Sequence, residues 1–271
     1  MIYEADKTDS VAALFGEWQD TMIWSCLQGI MGHIYVDNLE EPVSAMALLG
    51  DFCFLAGEPD RELAAFRPEW YTKDFMIIIP QNQQWGREIE RCYAGRFHKV
   101  ERYAMKKEAD VFDRDRLENM VSRLPEEYAI HMIDAEVFDY CRKAAEETLS
   151  GSGQNGTSCC ETWCVDFVSQ FPDYCAYQRN GLGVVIMHEG MPVAGASSYT
   201  AYCGGIEIEI DTKQEYRRRG LGTICGAKLI LECLARGLYP SWDAQNLWSV
   251  ALAEKLGYHF DHAYEAYEIY T

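Results

Sequence analysis

Basic residues are scarce. The 271-residue chain carries 24 Lys and Arg against 43 Asp and Glu, a formal net charge of -19, and residues 1–50 contain a single base, Lys7. An acidic body of this kind repels nucleic acid and favours cationic partners. Long apolar runs are also lacking: the longest, Val43–Ala56, is interrupted by Asp51 and is too short to span a bilayer. The opening MIYEADKTDS has neither the basic nor the apolar segment of a signal peptide. The eleven cysteines are an odd number without an even disulfide framework. Reduced thiols, a cytoplasmic setting and no membrane partner are therefore expected. Metal-ligand spacing is missing too. Cys159, Cys160 and Cys164 cluster, but not as C-x-x-C, and no second ligand pair follows. None of the six histidines forms a recognisable ligand pair, so no metal is expected.

What is present is a globular composition, 48% hydrophobic, with room for one large domain or two smaller ones. The most informative stretch is Arg217-Arg218-Arg219-Gly220-Leu221-Gly222, which stands against the acidic composition. It follows an alternating strand, Ile206 to Ile210, and opens a mostly apolar helix candidate, Leu221 to Arg236. A glycine-rich turn at a helix start leaves backbone N–H groups unpaired at the positive end of the helix dipole, which makes an anion site. Gly237 and Pro240 read as a helix stop. A short strand around Leu238 to Asp243 and a helix from Asn246 to Gly257 follow.

The RRRGLG stretch resembles motif A of the GNAT superfamily of N-acetyltransferases, Q/R-x-x-G-x-G/A, with Arg217, Gly220 and Gly222 in its defined positions. The string NLWSVALAEKLGY resembles the motif B region of the same family. The resemblance covers roughly the last 145 residues and implies an α/β (α+β) fold, a GNAT-like mixed, mostly antiparallel sheet flanked by helices. It also implies acetyl-CoA as co-substrate. Its pyrophosphate would lie on Arg217, Arg218, Arg219, Gly220, Leu221, Gly222 and Thr223. Its thioester carbonyl and pantetheine arm would meet backbone amides of Ile210, Asp211 and Thr212, and Asn246 would also contact it. Asn is equally a favoured helix N-cap.

Two domains are expected, 1–125 and 126–271. In the second, the strand candidate YAIHMI begins near Glu127, a helix covers Val137 to Leu149, and Gly151 to Ser158 is a loop by composition. A short helix falls within Thr162 to Phe171, and a hairpin turns at Glu189-Gly190. In the first, one long amphipathic helix is expected over Val11 to Ile30, then strands at His33 to Val36, Ala45 to Ala56 and Phe75 to Ile79. The segment after Pro80 matches the C-terminal segment in kind: a QN pair, a helix, a glycine, then an aromatic-rich strand. The N-terminal half is therefore read as a possible degenerate GNAT-like unit without R-x-x-G-x-G. Glu108 to Pro125 is read as the connector. This two-part shape is similar to the branch of the family that includes zwittermicin-resistance acetyltransferases.

Glu207, Glu209 and Asp211 alternate with isoleucines and share one strand face. The resemblance makes Glu207 and Glu209 the candidates for general base, Glu207 favoured by its spacing from the arginine-rich loop. The plain alternative is carboxylates on an exposed sheet face. Many family members place a tyrosine seven residues after the motif B asparagine as general acid; here that position is Ala253. A serine three residues after the asparagine serves in another branch, and Ser249 fits, although a serine there also bonds its own first turn. The expected activity is an acetyl-CoA-dependent N-acetyltransferase acting on a small cationic amine. The alternatives are a non-catalytic acyl-CoA-binding or interaction protein on the same scaffold and a tandem enzyme using charged tRNA. The acidic body and the coenzyme form of motif A oppose the latter.

Overall fold

The computed structural model describes residues 1–5, 9–149 and 162–270. The loop Gly151–Ser158, with Cys159 and Cys160, lies outside the described residues. The chain divides into two compact units, Met1–Ala104 with His262–Thr271, and Met105–Asp261.

The first unit runs β1 (Tyr3–Glu4), α1 (Asp9–Phe15), α2 (Thr21–Leu27), β2 (His33–Val36), β3 (Ser44–Leu49), β4 (Phe52–Gly57), α3 (Arg61–Ala65), β5 (Phe75–Pro80), α4 (Gln83–Cys92) and β6 (Phe97–Met105). The single helix expected over Val11 to Ile30 is two. The first stops at Gly16, and Asp20 starts the second by accepting hydrogen bonds from Met22 N (2.8 Å) and Ile23 N (3.4 Å). A side-chain cap of this kind satisfies donors that a helix start leaves open. β4 and β5 pair in parallel as far as Leu55 and Pro80. The core gathers Met46, Leu48, Leu55, Ile78, Trp85 and Ile89, with Tyr267 and Ile269 from the end of the chain.

The second unit runs α5 (Arg114–Val121), β7 (Tyr128–Met132), α6 (Ala135–Leu149), a 3-10 turn (Thr162–Phe167), α7 (Tyr174–Asn180), β8 (Gly183–His188), β9 (Met191–Tyr202) and β10 (Gly205–Thr212). A second 3-10 turn (Gln214–Tyr216), α8 (Leu221–Ala235), β11 (Tyr239–Ser241), β12 (Asp243–Ala244) and α9 (Leu247–Leu256) follow. Its five-stranded sheet has the order β11-β10-β9-β8-β7, antiparallel except for the parallel pair β10 and β11. This is the mixed, mostly antiparallel α/β architecture expected from the sequence.

The compact units divide the chain elsewhere than at 125/126. The stretch read as a connector contains α5, which packs on α8 and so belongs to the second unit. The last strand, β13 (Phe260–Tyr270), lies between β5 and β6 in the sheet order of the first unit, β1-β2-β3-β4-β5-β13-β6. Both units otherwise run through a similar sequence of elements, a strand, two helices, three strands, a helix, then strand and helix again, with α5, β12 and the two 3-10 turns added in the second.

β13 pairs antiparallel with β5, with Tyr267 opposite Ile78 and Ile269 opposite Met76. Tyr267 is 1% exposed and Ile269 is 0% exposed. Ile269→Ala is expected to lower the stability of the first unit by about 2–5 kcal/mol, the usual range for emptying such a site, measured by urea unfolding of the full chain.

Candidate active site

The site is built on β10. Alternation puts Ile206, Ile208 and Ile210 on one face and Glu207, Glu209 and Asp211 on the other. The isoleucine face lies under α8. A Cβ placed on Gly226 of α8 would fall 2.9 Å from Ile210 Cδ1, so glycine there lets the helix seat on the strand. The opposite face is partly covered by the turn Thr162–Phe167, whose Phe167 lies against Gly195, the Cα partner of Asp211.

β11 pairs with β10 only from Gly205 to Glu207, opposite Tyr239 to Ser241. From Ile208 to Thr212 the strand continues with its partner on the β9 side. The edge that faces past β11 therefore carries backbone donors and acceptors at the place where the resemblance expects Ile210, Asp211 and Thr212 to meet a pantetheine arm.

The chain then turns into α8. Six α-helices begin with an Asp or Asn side chain accepting first-turn N–H bonds: Asp20, Asp60, Asn82, Asp113, Asp173 and Asn246. Asp134 does the same for Val137 in α6, at 3.0 Å. Among the described caps of the α-helices, Gly220 alone supplies no side chain. It has φ 81, the left-handed region in which glycine is at ease, and a Cβ there would meet nothing within 4 Å. No side chain therefore caps the first-turn amides of Leu221, Gly222 and Thr223 at the positive end of a 15-residue helix. Gly222 packs close to the strand end: its added Cβ would lie 3.3 Å from Thr212 Oγ1. Thr223 Oγ1 accepts from Lys255 Nζ at 3.4 Å.

The three arginines differ in their engagements. Arg217 donates from Nε to Thr212 O (2.9 Å) and from Nη2 to Asp211 Oδ1 (3.1 Å). Arg219 lies over the Tyr216 ring at 4.9 Å and donates to Tyr128 OH (3.2 Å) and Glu215 O (3.1 Å). Tyr216 OH in turn meets His188 Nδ1 at 3.1 Å, and His188 packs on Tyr128. Arg218 is exposed, with φ 63.

Glu207 does not decorate an exposed face. It is 6% exposed and stands at the last position paired with β11, flanked by Thr200 on β9 and Ser241 on β11. The β9 register shifts just after it, between Glu207 and Ile208. Tyr202 OH bonds Ser241 Oγ at 3.1 Å. Burial raises the Tyr202 phenol above its ordinary range, and the Glu207 charge adds to the shift. Glu209 is half-buried, two residues nearer to α8.

Asn246 caps α9, its Oδ1 accepting from Ser249 N at 3.0 Å. The Ser249 hydroxyl accepts from Trp242 Nε1 at 3.0 Å, so its own proton remains to be donated. Tyr258 is buried and donates to Pro240 O at 2.7 Å, a core position. Among the described residues no group of three His, Cys, Asp or Glu side chains could hold a metal ion, and the Cys164 side chain is buried. No helix is long and apolar enough to cross a membrane among them. In the first unit, the helix in the place of α8 is α3, five residues long, and Asp60 caps it through Leu63 N at 2.7 Å. A carboxylate there fills the end that α8 leaves open and repels anions.

No local pattern marks Tyr128, His188 and Tyr216 around Arg219, or Tyr202 and Ser241 beside Glu207. Tyr216 alone adjoins the motif. The rest are brought in by strand register.

The element order and the open start of α8 define a GNAT-type acyltransferase. A GNAT acetyltransferase family profile matches residues 12–267, and the chain belongs to that family of acetyltransferase enzymes. Similar proteins include the Bacillus subtilis (strain 168) "Uncharacterized N-acetyltransferase YdfB", 24% identical over 263 residues, covering 93% of this chain and 92% of that one. A solved structure, the GCN5-related N-acetyltransferase-like protein of Streptococcus suis 89/1591, is 44% identical with a TM-score of 0.85, covering 97% of this chain and 98% of that one. A tandem GNAT protein from the clavulanic acid biosynthesis pathway shares the fold, with 12% identity and a TM-score of 0.52 over 100% of this chain and 98% of that one.

Ser249→Ala leaves the Trp242 N–H without its acceptor. It is expected to destabilise the protein by about 1–3 kcal/mol, whereas Ser249→Thr, which keeps an oxygen, loses less. Urea unfolding of both variants checks this.

Proposed function

We propose that the protein transfers the acetyl group of acetyl-CoA to the amine of a small cationic acceptor, by direct attack of the amine on the thioester. The observation that carries this reading is the open N-terminus of α8 at the end of a strand whose outer edge is unpaired by β11. The amides of Leu221, Gly222 and Thr223, together with the arginine loop, suit a pyrophosphate. The edge of β10 beyond β11, at Ile210 and Asp211, suits an arm that runs back along the strand and holds a thioester carbonyl by backbone N–H donors, whereas at Thr212 the N–H is bonded to Asp211 Oδ1 and the carbonyl to Arg217 Nε. Asn246 lies at the start of α9 as a further contact. Acetyl-CoA supplies the acyl group and a thiol leaving group, whose ordinary pKa of about 8.5 makes protonation on departure a modest demand.

The chain's own groups manage the protons. An alkyl amine near pKa 10.4 arrives charged, so a base must neutralise it before attack. Glu207 takes that role, with Glu209 as the second candidate. The two differ in reach: Glu207 is about 17 Å of strand from Thr212, and Glu209 about 7 Å closer to it. Glu207 sits where β10 and β11 part, beside Thr200 on β9 and Ser241 on β11. Ser249 is the candidate acid. The narrower affiliation to the zwittermicin-resistance branch rests on the two-unit architecture alone, and the reaction is placed in the cytoplasm, with no nucleic acid, membrane or metal required.

Gln at the true base is expected to lower kcat by roughly 10²–10⁴-fold and to flatten the acid limb of the rate profile, with coenzyme affinity nearly unchanged. Thiol release with Glu207→Gln, Glu209→Gln and the double variant measures this; severalfold losses in all three would remove both residues from the role.

The acceptor's charge is tested separately. With a net charge of -19, the body draws cations, and screening shortens that reach. Across an amine panel, KM for the best acceptor is expected to rise between low and high salt. A neutral or acidic best acceptor, or a KM indifferent to salt, would contradict the electrostatic part of the reading.

A further inference from the structure

The arginine loop presents three guanidinium groups, and the structure distinguishes them. Arg217 is turned back on the strand end. Its Nη2 is 3.1 Å from Asp211 Oδ1 and its Nε bonds Thr212 O, so its charge is balanced at the strand end. Arg219 is held by Tyr216, Tyr128 and Glu215 O, and Tyr216 is anchored in turn by His188. Freeing Arg219 would break a cation–π contact and two hydrogen bonds. Lys213, the other nearby base, pairs with Glu215 at 3.3 Å. Arg218 makes no ion pair, ring contact or side-chain hydrogen bond among the described residues, and it is exposed.

Its backbone adds to the case. Arg218 and Glu189 are the two non-glycine residues with positive φ among the described residues. Glu189 is in the β8–β9 hairpin turn, where such a conformation is ordinary. Arg218 holds the left-handed region, at φ 63, two residues before the open helix start. That conformation is unfavourable for a side chain longer than Asn or Asp.

We infer that Arg218 reads the ribose phosphate of coenzyme A and so selects the phosphorylated coenzyme over its dephospho form. The inference rests on the coenzyme reading of the α8 site. The pyrophosphate is served by backbone amides, which are blind to anything beyond it. The ribose phosphate is a separate dianion, and Arg218 is the one uncommitted cation of the loop. Arg217 and Arg219 shape the loop and do not discriminate.

The test is isothermal titration of the full chain with CoA and with dephospho-CoA. The variants are Arg218→Gly, which suits the left-handed backbone and so folds, and Arg218→Lys, which keeps the charge. The wild type is expected to bind CoA about tenfold more tightly than dephospho-CoA, as one charge-assisted contact allows. Arg218→Gly is expected to bring that ratio near one by weakening CoA alone, and Arg218→Lys to keep most of it. A ratio unchanged in Arg218→Gly, or an equal loss for both ligands, overturns this inference and leaves the coenzyme site standing. A wild type that binds neither ligand overturns the coenzyme reading and this inference with it.

Discussion

The seating of α8 on Ile206, Ile208 and Ile210 governs the rest of the second unit. Each fully buried isoleucine stabilises the unit by about 1.5–3 kcal/mol, and Ile206 and Ile208 are 1% and 7% exposed. This contact fixes which face of β10 is apolar, so it also fixes where the carboxylates go. A slip of one residue would send Glu207 and Glu209 under the helix. The same contact brings the start of α8 to the end of β10, because the connecting loop is short. Open amides and a buried carboxylate therefore share one strand as a geometric consequence of apolar packing.

Much of this was legible in the sequence because two signals agreed there. The IEIEI alternation gave the faces, and RRRGLG between a strand and an apolar run gave the open helix start. Asn246, Ser249 and Gly257 marked the next helix by local chemistry alone. What was not legible depends on distant parts meeting. Tyr202 and Ser241 reach Glu207 through the register of β9 and β11, and that register shifts at the very position concerned. The burial of Glu207 is a sum over both neighbours, which no local pattern encodes. The engagement of Arg219 needs Tyr128, ninety-one positions earlier. The split at Gly16 and Asp20 was a local signal overridden in reading by the apolar run around it. Helix α5 was hidden by its charge, since one buried residue, Leu117, suffices to dock it.

The two units run through a similar order of elements but differ in how a single helix starts. α8 begins at a bare glycine and α3 at an aspartate. That difference of one capping residue, with the lengths of 15 and 5 residues that go with it, leaves the first-turn amides uncapped in one half and gives them a carboxylate in the other. The QN pairs tell the same story from the shared side: Asn82 and Asn246 cap α4 and α9 in the same manner, a structural duty that each half retains whether or not it handles a ligand.

The position of β13 has a consequence for how the protein comes to exist. A ribosome releases the N-terminal end first, and domains generally fold as units in that order. Here the first unit lacks the strand that lies between β5 and β6 until Phe260–Tyr270, which follow the whole of the second unit's helices, have been translated. During synthesis those two strands present unsatisfied edges and an incomplete core. The remaining residues must be made before the gap is filled. The first unit is thus completed only after the helices of the second have been made, and the chain's vulnerable interval for misassociation falls during its own translation.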